Sequence, residues 1–148
     1  MRLALDTNVL AYAKGVNGAS MRDSAVAIID KLRPASTFLP VQVLGELFYL
    51  LVRKAAFSRQ RARSSLLSWQ DSFPLIETSG AVLLMAADLA AHHHLKIWDS
   101  VVLSAAASAG CRLLLSEDLQ DGFTWNGVTV VNPFSKTPHE LLAEALEQ

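Results

Sequence analysis

Five short apolar runs, RLAL, STFLP, PLIET, RLLL and VTVV, lie between longer segments whose apolar residues return every three or four positions. Runs of that length suit buried strands, and the segments between them suit helices packed on one face. Strands separated by helices pair in parallel, because each crossover returns the chain to the same end of the sheet. The order of segments therefore predicts an α/β fold in three layers: a central parallel sheet of about five strands flanked by helices.

Local signals set the element boundaries. VLAYAKG reads as a brief helix closing at Gly15, and Met21 to Leu32 places Ala25, Ile28, Ile29 and Leu32 on one face before Pro34 ends the segment. From Val41 to Lys54 the apolar stripe is Val43, Leu47, Leu50 and Lys54, with Arg53 and Lys54 suited to the negative end of a helix. Ser58 can cap a helix running to about Phe73, and two alanine-rich helices follow at residues 80–95 and 97–110. In TPHELLAEALEQ, Thr137, Pro138 and Glu140 form a capping-box pattern that predicts a final helix within residues 135–148, packed on the same domain or reaching a partner. No repeat, low-complexity stretch or long linker divides the chain, and 148 residues suit one domain.

Composition removes several classes of function. The longest apolar runs, LFYLLV and AVLLMAA, are interrupted by Glu46, Arg53 and Asp88, far short of the ~18 residues of a membrane span, so no membrane association is expected. Asp6 interrupts the apolar stretch a signal peptide would need, and the lone Cys111 has no partner for an internal disulfide; a reducing cytoplasm is the expectation. A net charge of -1 and a pI near 6.4 give no global attraction for nucleic acid, so a polyanion would need a local lure. The hydrophobic fraction of 51% and mean hydropathy of +0.28 are high, which predicts apolar surface covered by another subunit or partner.

Four carboxylates stand where structure does not need them. Asp6 ends the first strand in LALDTN, where a helix cap alone would explain it. Glu46 sits on a largely apolar helical face beside Val43 and Leu50, where an unpartnered charge is costly, although a border position would let it reach water. Asp99 opens an apolar helix, and Asp118, next to Glu117, follows a strand as Asp6 does. Ligands of open α/β sheets bind beyond the carboxyl ends of the strands, so Asp6 and Asp118 open onto one crevice with Glu46 and Asp99 near its rim. Clustered carboxylates without Lys or Arg in their motifs repel one another unless a divalent cation sits among them, and Mg²⁺, or alternatively Mn²⁺, favours such oxygen ligands.

In that order LDTNVL, GELFYLL, IWDSVVLSAA, LLLSEDLQDG and VVNPF resemble the PIN-domain family, in particular the VapC-type toxins of prokaryotic toxin-antitoxin pairs. The resemblance covers residues 1–134. It implies a PIN-like fold, a metal-dependent ribonuclease acting on RNA, a homodimer and a small antitoxin partner. By motif position Asp6, Glu46, Asp99 and Asp118 match the family's acidic quartet, and Thr7, Asn8 and Ser116 match the polar positions that orient it. On this reading Asp6 and Asp99 contact the ion most directly, Asp118 completes its shell or bridges to a second ion, and Glu46 holds or deprotonates the water; Glu117 could share the role of Asp118.

Other features weigh less. Consecutive His92, His93 and His94 point in different directions on a helix, RQRAR reads as solvated surface, and Trp69, Trp98 and Trp125 among apolar neighbours read as core rather than as stacking platforms. Two rival functions stay open. A phosphatase with an Asp nucleophile would use Asp6 but has Asn8 where a second Asp is needed, and a noncatalytic PIN-like binding module leaves the four acids without a purpose.

Overall fold

The computed structural model describes residues 1–147 and builds a six-stranded sheet flanked by seven α-helices. In chain order the elements are β1 (Leu3–Leu5), α1 (Thr7–Ala13), α2 (Ala19–Ile29), β2 (Thr37–Pro40), α3 (Val41–Lys54), α4 (Arg59–Ser72) and β3 (Leu75–Ile76). They continue with α5 (Gly80–His93), α6 (Ile97–Ser108), β4 (Leu113–Leu115), β5 (Thr124–Trp125), β6 (Val128–Val131) and α7 (Glu140–Glu147). Across the sheet the strands run β3-β2-β1-β4-β6-β5, all parallel except the β5–β6 hairpin.

The two strands at the centre, β1 and β4, are buried on both faces, which is why LAL and LLL carry no polar alternation. Each fully buried leucine there contributes roughly 2 kcal/mol of apolar transfer free energy. Against this centre α6 buries every residue from Ser100 to Ala106, and its run of serine and alanine lets it lie close to the neighbouring helix α5. The described C-terminal helix α7 adds Leu142 and Ala145 to the same core.

The expected strands all form, and the differences are local. The sixth strand, β5, is held by Asn126 and Gly127 at φ 48° and 85°, the left-handed pair of a tight hairpin turn; this Asn-Gly signal went unread because β5 is only two residues long. In α3 the buried stripe is Val43, Leu44, Leu47 and Leu51; Leu50 is half-buried and Lys54 exposed, since the face toward the core is turned toward Leu44 and Leu51. Helix α2 begins at Ala19 rather than Met21 and closes at Ile29, and Leu32 packs from the turn beyond it. The final helix begins at Glu140, so Thr137 and Pro138 lie outside it. His139 replaces the expected capping box, its Nδ1 accepting from the Leu141 N–H at 3.1 Å. Gln148, the end of that expected helix, lies outside the described residues.

Candidate active site

Parallel pairing in the register Leu5 with Leu115 makes β1 and β4 end side by side, and the Asp6 N–H extends the ladder by donating to the Leu115 carbonyl at 3.0 Å. The sheet changes direction here, since β2 lies on one side of β1 and β4 on the other, and that is where an open α/β sheet forms its crevice. Asp6 caps α1 with one oxygen, Oδ1 accepting from the Thr7 N–H at 2.8 Å, while Oδ2 accepts from the Ser116 hydroxyl at 2.7 Å. Capping therefore uses only half of the carboxylate.

From Asp6 the bonding continues both ways. Thr7 Oγ1 donates to Glu46 Oε2 at 2.7 Å, and Gln42 Nε2, one turn earlier on α3, donates to Glu46 Oε1 at 3.3 Å. On the other side Ser116 Oγ accepts from the backbone N–H groups of Asp118 and Leu119 at 3.2 and 3.4 Å, fixing the turn that carries Asp118. Glu46, Thr7, Asp6, Ser116 and the Asp118 turn thus form one hydrogen-bonded chain across three elements.

Among the described residues, no ion pair relieves the charge of these acids. Burial pushes the Asp6 carboxyl up from 3.8 to about 6; the bonds from Ser116 and Thr7 oppose the rise, and the negative charges of Asp118 and Glu46 add to it. Asp99, half-buried at the start of α6, is raised too, first by burial and then by Asp118 and Glu46, with Lys96 opposing. Among the described residues the one ion pair is Arg22 with Asp23, on the surface, so no lysine or arginine salt bridge neutralises the four acids.

The sequence profile of the PIN domain matches residues 3–121, from β1 to the turn beyond β4. The chain belongs to the PIN-domain family. Among solved structures, VapC20 of Mycobacterium tuberculosis, described as a sarcin-ricin loop cleaving toxin, is similar with a TM-score of 0.67 and 15% identity, over 78% of this chain and 89% of that one. A toxin-antitoxin complex from Klebsiella pneumoniae gives 0.66 and 22%, over 90% and 98%. VapBC2 of Rickettsia felis, bound to a promoter DNA fragment, gives 0.61 and 19%, over 80% and 89%. At these identities the likeness is one of fold. No curated protein matches the chain significantly.

In this PIN domain the acids edge a cleft of about 710 Å³. Thr7, Asn8, Glu46 and Asp118 line it directly; Asp6 lies beneath, 4% exposed, and Asp99 stands beside Trp98, which does line it. All-oxygen donors with no competing cation bonded to them suit a hard divalent ion. Among the described residues, however, no three acidic, histidine or cysteine side chains already sit close enough to hold one ion between them. The donor chemistry fits, and the exposed Asp118 and half-buried Asp99 and Glu46 would have to swing inward to close the shell.

Further residues line the cleft at helical spacings from the acids. Gln42 and Tyr49 lie four before and three after Glu46, Lys54 lies two turns further along α3, and Tyr12 lies four after Asn8 on α1. Trp98 corrects an expectation outright: it is 53% exposed rather than core, whereas Trp69 is buried and Trp125 half-buried. Glu117, beside Asp118 in sequence, accepts at Oε1 from the Tyr12 hydroxyl at 3.0 Å. The histidine run finishes a helix: His92 Nδ1 lies 2.7 Å from the Asp88 carbonyl, His93 packs edge-on against Phe123, and His94 takes the left-handed cap.

Proposed function

We propose that this PIN domain is a metal-dependent endoribonuclease that hydrolyses RNA phosphodiester bonds, and that it is the toxin of a toxin-antitoxin pair, working as a homodimer in the cytoplasm and held in check by a small antitoxin protein. The observation that carries the nuclease reading is the convergence of Asp6, Glu46, Asp99 and Asp118 at the switch point of the sheet, with Asp6 buried and no basic side chain paired to any of them. Evolution of a stable fold alone would not place a carboxyl where burial and two neighbouring anions both oppose its charge. The toxin reading is supported by the fold shared with VapC20 and with the Klebsiella complex.

Asp6, Asp99 and Asp118 would hold Mg²⁺ or Mn²⁺. When bound, such an ion lowers the pKa of a water and offsets charge developing on the phosphoryl oxygens during in-line displacement. Each Asp6 oxygen accepts one bond within the protein and keeps a second lone pair for this purpose. Glu46, oriented by Thr7 and Gln42, holds the attacking water and takes its proton. Thr7 and Ser116 keep the acids in register, and Asn8 faces the cleft as a polar contact for substrate. A phosphatase reading lacks its second aspartate, since Asn8 occupies that place on the wall of the cleft.

The test compares cleavage of RNA by wild type and Asp6→Asn with Mg²⁺, with Mn²⁺ and with chelator. We expect ion-dependent cleavage that falls more than about 100-fold in the variant, since several kcal/mol of transition-state stabilisation go with the ligand. Cleavage that is indifferent to chelator, or RNA binding without cleavage under either ion, overturns the nuclease reading. The toxin reading is checked by growth: expression of wild type but not Asp6→Asn should arrest a bacterial host, and co-expression of a cognate antitoxin should relieve it.

A further inference from the structure

The acid end of the cleft is only half of its lining. On α3 the chain passes from Glu46 to Tyr49 and on to Lys54, a rise of about 12 Å from acid to lysine. Tyr49 is 59% exposed, and the Arg53 guanidinium lies over its ring with Cζ 5.6 Å from the centroid. From α6, Trp98 presents a second ring, 53% exposed, one residue before Asp99. Neither Arg53 nor Lys54 is bonded to an acid; the one ion pair among the described residues lies elsewhere.

Two large exposed rings are unfavourable in water unless something covers them. What enters this cleft has to tolerate carboxylates at one end, offer anions to Lys54 and Arg53 at the other, and present flat faces between. An unpaired polynucleotide strand meets all three requirements: phosphates for the cations, bases for the rings, and a phosphodiester for the acids. A helical peptide with an apolar face and no charged residues would satisfy the rings but leave the acids and the two cations unmatched.

We propose that Trp98 and Tyr49 are stacking platforms for unpaired RNA bases on either side of the scissile phosphate, with Lys54 and Arg53 holding a neighbouring backbone phosphate. The proposal rests on the nuclease reading above and assigns the side chains that would hold an unpaired strand, where a base can leave its own stack. Bases paired within a duplex have no free face to offer, so a continuous duplex is a poor substrate. Arg53 stacked on Tyr49 holds that ring in place before any base arrives, which lowers the ordering cost of binding.

Binding is measured in chelator, without turnover, using a short unstructured RNA oligonucleotide and the same strand annealed to its complement. The single strand should bind and quench tryptophan fluorescence, and the duplex should do neither. Trp98→Ala and Tyr49→Ala should each weaken binding of the single strand by about 5- to 100-fold. Trp98→Phe, which keeps a ring, should retain most of the affinity while losing the quench. Lys54→Ala should weaken binding and reduce the salt dependence by about one ion, whereas Trp98→Ala leaves that slope unchanged. Substitution at the exposed Trp98 leaves the fold intact, which circular dichroism checks.

If wild type cleaves RNA but Trp98→Ala binds and cuts as well as wild type, stacking is wrong and the nuclease reading stands. Equal binding of single strand and duplex overturns it in the same way. A change of oligomeric state in Trp98→Ala with RNA affinity unaltered would show that the ring belongs to a protein interface, which also overturns the proposal. If wild type neither binds nor cleaves RNA, the nuclease reading fails and the substrate class falls with it.

Discussion

Replacing Asp6 with asparagine should make the ion-free protein more stable while removing its activity. The folded state raises this carboxyl from 3.8 to about 6, and at about 1.36 kcal/mol per tenfold change in proton affinity the difference corresponds to about 3 kcal/mol. The sign follows from proton counting. Between those values the folded protein holds a proton the unfolded chain has lost, so stability falls as pH rises. The loss is complete above about pH 6, where both states are ionised. Below about pH 4 both are protonated and Asp6 imposes no penalty.

Asparagine carries no charge at any of these values, but it has one acceptor where Asp6 uses two. Its amide would face a Ser116 oxygen already accepting from Asp118 and Leu119, a mismatch of about 1 kcal/mol. The net gain near pH 8 is therefore about 1 to 2 kcal/mol, read as a rise in Tm of about 2 to 8 °C in chelator. Near pH 5 roughly half of the electrostatic penalty remains, so the advantage of the variant shrinks, and near pH 4 it reverses to the lost hydrogen bond. Adding Mg²⁺ at about 100 times its Kd should stabilise wild type by about 2.7 kcal/mol and leave the variant unmoved, inverting the order. A variant that melts below wild type at pH 8 in chelator, or whose advantage does not change between pH 8 and pH 4, refutes the electrostatic account of Asp6.

Asp118→Asn removes one of the two anions acting on Asp6, so the Asp6 carboxyl should titrate lower than in wild type, followed by carbon-13 NMR of its side chain; an unchanged midpoint would mean the two are not coupled. Ser116→Ala removes the bond that opposes that rise and strands two backbone N–H groups. It should therefore push Asp6 higher and cost about 1 to 3 kcal/mol in denaturant unfolding. Glu117→Gln should keep RNA cleavage within a few-fold of wild type while Asp118→Asn loses it, because Glu117 is engaged by Tyr12; equal losses would give Glu117 a share of the ion. Leu47→Ala, buried in α3 behind Glu46, should cost about 2 to 5 kcal/mol, with an intact chain of site hydrogen bonds checked by the Asp6 titration.

The positions of the four acids were legible in the sequence because each broke a rule that local physics enforces elsewhere. Glu46 lies beside a buried stripe and Asp99 opens a helix buried along most of its length, while Asp6 and Asp118 close strands at the same edge. What sequence spacing could not supply was the wiring between them. Thr7 reads as a cap neighbour, yet its hydroxyl faces Glu46, thirty-nine residues away, and Ser116 reads as turn chemistry, yet it clasps Asp6 from a hundred and ten residues away. The Asp6–Ser116 clasp follows from the pairing register of β1 and β4, and the Thr7–Glu46 bond from the packing of α1 on α3, neither of which a local window contains.

The rim of the cleft was illegible for a different reason. Trp98 sits among Ile97, Val101 and Val102, and an apolar neighbourhood in sequence ordinarily means burial in space. Here α6 turns its buried face from Ser100 onward toward the sheet, and its first turn projects beyond the end of β4 into the crevice. The helix that has to be apolar to pack therefore carries in its first turn a ring left about half exposed. The same reasoning that drew attention to misplaced acids applies to a misplaced aromatic once its exposure is known. On the readings proposed above, acids out of place mark where charge is handled, and rings out of place, on the wall of the same cleft, mark what carries that charge in.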